Sequence, residues 1–501
     1  MGWLSVSDSS DPAASNVAAL LAEARALLDG GRLQAAEALY RQLLAVGADD
    51  PSIRINLAAL CQRRGELAKA DVLLRQEIEA SPCNPLAQFN WGVVLADLGD
   101  SAGAMACYRQ CLELQPGHAE AATNLALLLA AGGDLQAAEP LLRRAVAVRP
   151  EFAAAHTALG SILRQLGDRE GAITAFCEAL RLNPHDPAHH SNLAGVLLER
   201  GEAQAAIASC QAALAIDPQH MQALGNLAAA QLEHGEIEAA IGSCRAALRL
   251  HPEASQAITT LAAALLEQGE IEAAIYHYHQ ALALTPECAD AHYNLGLAFH
   301  QRRDASRAIA CYREALRLRP SYAAARWNLA LSSLLAGDYT RGWELFDAPA
   351  LIEALAVRPA HARPLCALWE GEPLGNNEPL LLVSEQGLGD TLQFVRYLPL
   401  LAARGLRVSL CTEEKLHGLL AASRLGVPLL SPAEGNAVST GRWLRLLSLP
   451  RLLQVTPENP QTPAFPYLHS SPGLLQRWQL LLAPERRPLM ASTGRATPPP
   501  R

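Results

Sequence analysis

Large apolar and small residues recur along the first two-thirds of this chain with a period of 34 residues. When a recurring proline is numbered position 32, leucine is frequent at position 7 and aromatic residues at position 24, whereas position 8 is always small and position 20 is always alanine. This spacing predicts pairs of helices that pack through small contact points and bury their large side chains between pairs. The prolines are Pro82, Pro116, Pro150, Pro184, Pro218, Pro252, Pro286 and Pro320, and the aromatic residues include Tyr108, Phe176, Tyr278 and Tyr312.

Two further positions predict where each helix ends. Position 15 is usually glycine, as at Gly65 and Gly167, and glycine ends a helix by adopting a left-handed conformation at low cost. Proline at position 32 ends the second helix because it cannot continue one. The repeats run from 17 to 322 in nine full copies, and a tenth begins at Ala323 and diverges after Gly337.

This pattern resembles the tetratricopeptide repeat, a helix–turn–helix unit of the same length. The resemblance implies a right-handed solenoid in which neighbouring hairpins share one core. It also implies a long concave groove, lined by the first helix of each hairpin, that binds other proteins.

Position 6 is asparagine in seven repeats and is expected to face that groove. An asparagine side chain offers both a donor and an acceptor, so a row of them can hold the backbone of an extended peptide. The row resembles the asparagine ladder of protein O-GlcNAc transferases, in which it is understood to hold the polypeptide acceptor. The alternative is that each amide bonds the neighbouring hairpin and only stiffens the array. The predicted peptide-binding residues are Asn56, Asn90, Asn124, Asn192, Asn226, Asn294 and Asn328.

Composition narrows the functional classes. The chain has 501 residues, half of them hydrophobic, and a formal net charge of −9, which indicates several folded domains and argues against nucleic-acid binding. Only two lysines accompany the many arginines, a bias that suggests a GC-rich, bacterial genome. The first 16 residues are polar and unlike a signal peptide, and no apolar run is long enough to span a membrane, so the cytoplasm is the expected location.

The cysteines and histidines do not predict a metal site or a cofactor. Cys210 and Cys244 occupy position 24 and are expected in the core. Cys107 and Cys111 share a helix face, for which packing is a better interpretation than metal ligation.

A different pattern follows the repeats. Residues 348–378 are rich in proline and are interpreted as a linker. Two apolar runs, 380–384 and 406–411, enclose a glycine loop at 385–390 and a helix at 391–404. This order predicts the start of a parallel α/β sheet, and such sheets bind ligands at the loop after a strand.

The segment resembles the first lobe of bacterial tetratricopeptide glycosyltransferases. The motifs are Trp369-Glu-Gly371, the run from Glu385 to Tyr397, Leu446–Pro450 and Pro466–Leu468. The pair Gly389-Asp390, with Leu398-Pro399 one helix later, is also similar to the lipopolysaccharide heptosyltransferases. The resemblance implies a partial Rossmann-like domain, the first lobe of a two-lobed GT-B enzyme, over 379–490.

In that family the motif's aspartate is a proposed general base on the acceptor hydroxyl, so the resemblance assigns this role to Asp390. A base is needed because the acceptor's proton must leave as the sugar–phosphate bond breaks. The alternative is structural, since Asp390 and Gln393 have the spacing of a capping box. The candidate acceptor contacts are Glu385, Gln386, Gly387, Gly389 and Arg396.

The family's second lobe, which holds most of the nucleotide-sugar, finds no counterpart in this sequence. Residues 491–501 are compositionally foreign and are expected to be disordered. DNA able to encode 490–498 can, in another frame, encode Gly-Ile-Asn-Trp-Gln-Gly-Asn-Pro, which resembles the opening of that lobe. A frameshift is one hypothesis for this ending, and a natural end is the other.

The sequence therefore predicts a flexible segment at 1–16, a repeat solenoid at 17–347, a linker and half of an α/β transferase. The predicted function is polypeptide binding, in a chain related to glycosyltransferases but inactive without a donor lobe. The alternative is an active transferase that moves a sugar from a nucleotide-sugar to a protein or glycan.

Overall fold

The structure is a computed structural model, and it describes residues 12–48, 50–348, 360–375, 377–385, 387–456, 458–461, 467–470 and 472–482. The chain divides into two compact units, 1–264 and 265–501. The division falls inside the eighth hairpin, whereas the repeat pattern places the boundary at 347. Repeats nine and ten therefore belong to the same unit as the sheet.

Ten helical hairpins account for the repeats. From the second hairpin to the tenth, each first helix begins 34 residues after the previous one. The first helices are α1 (Pro12–Asp29), α3 (Pro51–Arg63), α5 (Pro85–Asp97), α7 (Ala119–Ala131), α9 (Ala153–Leu166), α11 (Pro187–Glu199), α13 (Met221–His234), α15 (Ser255–Glu267), α17 (Ala289–Gln301) and α19 (Ala323–Leu335). The second helices are α2 (Leu33–Ala45), α4 (Leu67–Ala80), α6 (Ser101–Leu114), α8 (Leu135–Val148), α10 (Arg169–Leu182), α12 (Ala203–Ile216), α14 (Ile237–Leu250), α16 (Ile271–Leu284), α18 (Ala305–Leu318) and α20 (Tyr339–Phe346).

Local chemistry explains the helix boundaries. The first helices end before a residue at position 15 with positive φ, as at Gly167 (φ 87°), which confirms the predicted role of these glycines. Arg303 occupies the same position with φ 64°, although it carries a side chain. Several second helices begin at an aspartate whose side chain accepts a hydrogen bond from a backbone N–H of the first turn, as Asp168 does from Gly171 (2.9 Å).

Small residues at position 8 face the buried aromatic rings at position 24, as the pattern predicts. A β-carbon added to Gly92 would be 2.6 Å from Cε1 of Tyr108, and one added to Gly296 would be 2.5 Å from Cε1 of Tyr312. Both tyrosines are almost fully buried. In these hairpins a side chain at position 8 would overlap the ring, whereas the first and eighth repeats combine alanine at position 8 (Ala24, Ala262) with tyrosine at position 24.

A five-stranded parallel sheet follows the repeats, in the order β1-β5-β2-β3-β4. Its strands are β1 (Ala367–Leu368), β2 (Pro379–Val383), β3 (Arg407–Cys411), β4 (Leu429–Leu430) and β5 (Arg442–Arg445). The helices of this region are α21 (Leu388–Phe394), α22 (Leu398–Ala403), α23 (Glu414–Ala422), α24 (Pro432–Asn436), α25 (Leu449–Leu452) and α26 (Pro472–Leu482), with 3-10 turns at Val395–Tyr397 and Leu446–Ser448.

Three sequence-based boundaries were wrong. The helix predicted at 391–404 begins at Leu388 and is divided into α21 and α22 by a 3-10 turn. The division precedes Pro399, which has no N–H to continue the ladder. Strand β1 lies inside the predicted linker. It could not be predicted, because a strand of two residues has no periodic pattern. Helix α1 begins inside the segment predicted to be flexible, while residues 1–11 and the predicted disordered tail, 491–501, lie outside the described residues.

The tenth hairpin is joined to the sheet region by Asp347, directly after α20. One carboxylate oxygen accepts a hydrogen bond from the Ser448 hydroxyl, and the other lies 2.7 Å from Nε of Arg451. The Asp347 side chain is 7% exposed, so this ion pair is largely shielded from water. Repeat and sheet are therefore linked by a charged contact within the second unit.

Candidate functional site

The asparagines at position 6 form the first candidate site. All seven are half-buried on first helices. Asn56, Asn90, Asn124, Asn192 and Asn226 belong to the first unit, and Asn294 and Asn328 to the second. We call the surface formed by the first helices of a unit its first-helix face.

Three of these amides donate to a tyrosine hydroxyl of the preceding repeat. Asn56 bonds Tyr40 (3.0 Å), Asn124 bonds Tyr108 (3.4 Å) and Asn328 bonds Tyr293 (3.1 Å). Burial raises the pKa of Tyr108 to about 12, so its hydroxyl stays protonated at neutral pH. These bonds link consecutive hairpins, as the structural alternative requires.

The other four amides are arranged differently. Asn226 donates to the Ser191 carbonyl (2.9 Å), Asn90 donates to the carbonyl of Leu86 in its own helix (2.8 Å), and Asn192 accepts from Gln222 (3.3 Å). Among the described residues, Asn294 has no hydrogen-bond partner.

The oxygen atom of most of these amides has no hydrogen-bond donor among the described residues. In Asn56, Asn90, Asn124, Asn226 and Asn328 the nitrogen is used, and no described residue donates to the oxygen. None of these oxygens is among the buried atoms that lack a partner, so water reaches them. Four of these amides, Asn56, Asn124, Asn226 and Asn328, thus combine a bond between hairpins through the nitrogen with an accessible acceptor oxygen.

The character of the first-helix face changes along the first unit. Helix α5 presents Leu86, Phe89 and Val93 at positions 2, 5 and 9, of which Leu86 is 47% exposed. In α9, α11 and α13 the corresponding positions carry alanine, glycine, serine, threonine and glutamine. The face is therefore apolar in the third repeat and small or polar from the fifth to the seventh.

The carboxyl edge of the parallel sheet is the second candidate site. Glu385 is fully buried there, where it accepts hydrogen bonds from Nη1 of Arg445 (3.3 Å) and from the backbone N–H of Leu447 (3.1 Å). Its carboxylate ties the end of β2 to the end of β5. A contact with an acceptor is therefore a poor assignment for Glu385, because the pair would first have to open.

Asp390 is the more accessible carboxylate of this edge. It is the third residue of α21, whose N-cap is Gly387, so the capping box proposed from its spacing with Gln393 is not formed. The side chain is half-buried and has no hydrogen-bond partner among the described residues. Gly387 and Gly389 are exposed beside it, and Gln386 lies outside the described residues.

Arg396 lies in the 3-10 turn between α21 and α22. Its guanidinium carbon is 5.4 Å from the ring centre of Tyr397, and its Nε is buried without a partner. No described contact joins Arg396 to Asp390.

A third group at this edge has no signal in the residue pattern. The Ser384 hydroxyl lies 2.7 Å from Nδ1 of His361, and Nε2 of that ring lies 3.5 Å from Oε1 of Glu413. The order matches that of a nucleophile, a base and an acid, but Ser384 is fully buried. The three residues hold segment 360–362 onto the sheet, and they come from three separate segments with no informative spacing.

The cysteines behave as core residues. Burial raises the pKa of Cys107 and Cys111 to about 11 and that of Cys210 and Cys244 to about 12. Within the described part of the chain, no cluster of three histidine, cysteine or acidic residues has the geometry to hold a metal ion. Over the same residues, no helix combines the length and the apolar character that crossing a bilayer requires.

Comparison with solved structures gives several similar chains. One belongs to the APC/C hetero-tetramer Cut9-Hcn1, with 17% identity and a TM-score of 0.44 over 59% of this chain and 58% of that chain. Another is YrrB, described as a TPR protein with an unusual peptide-binding site, with 20% identity and a TM-score of 0.34 over 37% of this chain and 95% of that chain. Yeast Tom70 has 14% identity and a TM-score of 0.38 over 69% of this chain and 94% of that chain.

A search of curated protein sequences gave no match. Family models described as tetratricopeptide or TPR repeat match residues 21–85, 89–156, 126–187, 157–220 and 217–255, then 262–302 and 289–322. Together they cover more than half of the chain, over the same residues that form the helical hairpins. The chain belongs to the tetratricopeptide repeat proteins.

Proposed function

We propose that this protein binds an extended polypeptide of a partner protein on the first-helix face of its repeats. The observation that carries the proposal is the row of asparagine oxygens in the first unit, at Asn56, Asn90, Asn124 and Asn226, that water reaches and that no described residue occupies. An extended main chain presents an N–H group at regular intervals, and each can donate to such an oxygen. Fixing the amide through its nitrogen also lowers the entropy lost on binding.

The experiment uses the asparagines that do not link hairpins. Asn90 bonds only its own helix, and Asn294 bonds none of the described residues, so the double variant Asn90→Ala/Asn294→Ala should keep the melting temperature of the parent. The probe is reduced, carboxamidomethylated α-lactalbumin, a permanently unfolded protein, with binding followed by fluorescence anisotropy. We expect affinity to fall by about fivefold to tenfold, as for the loss of one or two hydrogen bonds.

The matched control is Gln110→Ala/Gln211→Ala, which removes two exposed amides from second helices. It should bind the probe as the parent does. Failure of the parent to bind the probe would overturn the proposal. Equal affinity of the parent and the asparagine variant would assign the ladder to stability alone.

A second candidate function is transfer of a sugar to a protein or glycan hydroxyl, with Asp390 as the base. It is favoured by the half-exposed carboxylate of Asp390, which no described residue pairs, at the carboxyl edge of a parallel sheet. Under this proposal the sheet region corresponds to the acceptor lobe of a GT-B enzyme, and a nucleotide-sugar is the donor once a second lobe is supplied.

This candidate is tested on protein supplied with a donor lobe. Asp390→Asn should lower the transfer rate by about 10²–10⁴-fold. Glu414→Gln removes another carboxylate from the first turn of a helix, α23, and should leave the rate unchanged. An Asp390→Asn variant that turns over at the parent rate would exclude the base.

A further inference from the structure

Arg164 is held in place at the centre of the first unit. Its Nε and Nη2 lie 2.7 and 2.6 Å from Oε1 of Glu199, which joins α9 to α11. The two side chains are 37% and 36% exposed. Among the described residues, no acceptor bonds Nη1 of Arg164, so the ion pair fixes the guanidinium but leaves part of it available.

Gly195 lets this guanidinium lie against α11. A β-carbon at Gly195 would be 3.2 Å from Nη1 of Arg164 and 3.6 Å from Nδ2 of Asn226. Side chains from α9 and α13 therefore meet over a residue of α11 that has none. The fifth, sixth and seventh repeats contribute to one place on the first-helix face.

Gly225 leaves open space beside that place. It lies inside α13, directly before Asn226, and a β-carbon built on it meets nothing within 4 Å. Glycine inside a helix is destabilising relative to alanine, and no packing contact requires it here. Gln222, one turn earlier, donates to Asn192 of α11 (3.3 Å), so this side of α13 faces the preceding first helix.

Ser191 supplies an unsatisfied polar group. It is fully buried, and its hydroxyl has no hydrogen-bond partner among the described residues. It precedes Gly195 by one turn and shares its face of α11, and its carbonyl accepts from Asn226. Water does not reach this hydroxyl, so the part that Ser191 plays here is its carbonyl, which fixes the amide of Asn226.

We propose that Arg164, Gly225 and Asn226 form an anchor subsite, at which the main chain of the partner comes closest to the repeats. Nη1 of Arg164 donates to a main-chain carbonyl, and Oδ1 of Asn226 accepts from a main-chain N–H. The bare backbone at Gly225 permits the approach. Because Glu199 balances the charge of Arg164, the subsite suits an uncharged stretch of extended chain. This inference rests on the proposed function and locates its centre.

The experiment places side chains into the open space. Gly225→Ala and Gly225→Leu are compared with Gly242→Ala and Gly242→Leu, since Gly242 lies in second helix α14, is exposed and also has nothing within 4 Å. Replacing glycine inside a helix should raise the melting temperature in both pairs, so weaker binding cannot come from unfolding. The probe is again carboxamidomethylated α-lactalbumin.

We expect Gly225→Leu to weaken binding at least tenfold, Gly225→Ala to weaken it less, and both Gly242 variants to bind as the parent does. A Gly225→Leu variant with parental affinity would overturn the anchor subsite while leaving the proposed function intact. Weakening by both leucine variants alike would also overturn it, because the effect would then not depend on the first-helix face. A parent that does not bind the probe overturns both proposals.

Discussion

Gly160 of α9 lies against the ring of Phe176 of α10, and a β-carbon on Gly160 would be 2.7 Å from Cε1 of that ring. The preceding repeat has a different pair at the same two positions, Ala126 at position 8 and Leu142 at position 24, and both are fully buried. In these two hairpins position 8 and position 24 are matched in size, so a change at Gly160 should require a change at Phe176; alanine with tyrosine occurs only in the first and eighth repeats.

The first prediction concerns this pair. Gly160→Ala should destabilise the protein by about 1–3 kcal/mol, because the methyl group overlaps the ring of Phe176. Adding Phe176→Leu to Gly160→Ala reproduces the pair of the preceding repeat and should restore most of the loss. Chemical unfolding of the four proteins of the double-mutant cycle measures the coupling. Additive effects would show that the two positions are not matched.

Replacing Arg303 by glycine should stabilise the protein. Its φ of 64° is strained for a residue with a β-carbon, whereas the corresponding position holds glycine in the other repeats. Arg303→Gly should raise the stability by about 0.5–1 kcal/mol. Arg313→Gly, in the interior of α18, should lower it by about 1 kcal/mol. Thermal unfolding measures the sign of the change in stability for each variant. A loss of stability in both variants would contradict the prediction.

His118 should make the stability of the folded protein depend on pH. Its Nδ1 accepts a hydrogen bond from the backbone N–H of Ala121 (3.2 Å), which only an unprotonated nitrogen can do. Burial lowers the pKa of His118, and Glu120 partly opposes this. The pKa of His118 in the folded protein lies below its unfolded value of about 6.5. The contribution of this hydrogen bond to the free energy of unfolding is therefore complete above pH 6.5 and is lost as the pH falls through the folded pKa.

The test replaces the titrating cap with one that does not titrate. His118→Asn should cap α7 at every pH. Melting temperatures of the parent and the variant, measured from pH 7.5 to pH 5, should diverge as the parent loses stability. Parallel curves of melting temperature over this range would show that His118 does not cause the loss of stability in acid.

The buried and exposed cysteines should differ in how fast they react with an alkylating reagent. At pH 8 only about 10⁻⁴ of a thiol with a pKa of about 12, such as Cys210 or Cys244, is the reactive thiolate. Cys83 is exposed and should react with iodoacetamide first. Mass spectrometry should detect modification of the two buried thiols only after unfolding in guanidinium chloride. Rapid labelling of Cys210 in the folded protein would show that the sixth repeat opens.

The repeats could be predicted closely because each position acts locally. Glycine at position 15, a small residue at position 8 and proline at position 32 determine ends and contacts within one hairpin, and the helix boundaries follow the period. The sheet was harder, since the start of α21 at Leu388 depends on how the loop leaves β2. The division of the chain at 264 and 265 has no signature in the repeat pattern, because it depends on the density of contacts.

Only part of the arrangement of side chains at the two candidate sites could be predicted. The asparagine row is visible in the sequence, and its bonds to tyrosine had a signal, since Tyr40 and Asn56 are separated by the same interval as Tyr108 and Asn124. The open space at Gly225 could not be foreseen, because one glycine does not reveal what surrounds it. The burial of Glu385 against Arg445 required the order of the strands.

Asp347 bears on how the protein can be cut into pieces. A fragment that begins where the repeat pattern ends, after 347, removes the acceptor for Ser448 and the counter-ion of Arg451. It also uncovers apolar surface, because Trp343 and Phe346 pack against the sheet region's core. A stable fragment of the sheet region therefore has to retain the last hairpins, and a proteolytic fragment that survives should begin well before that region.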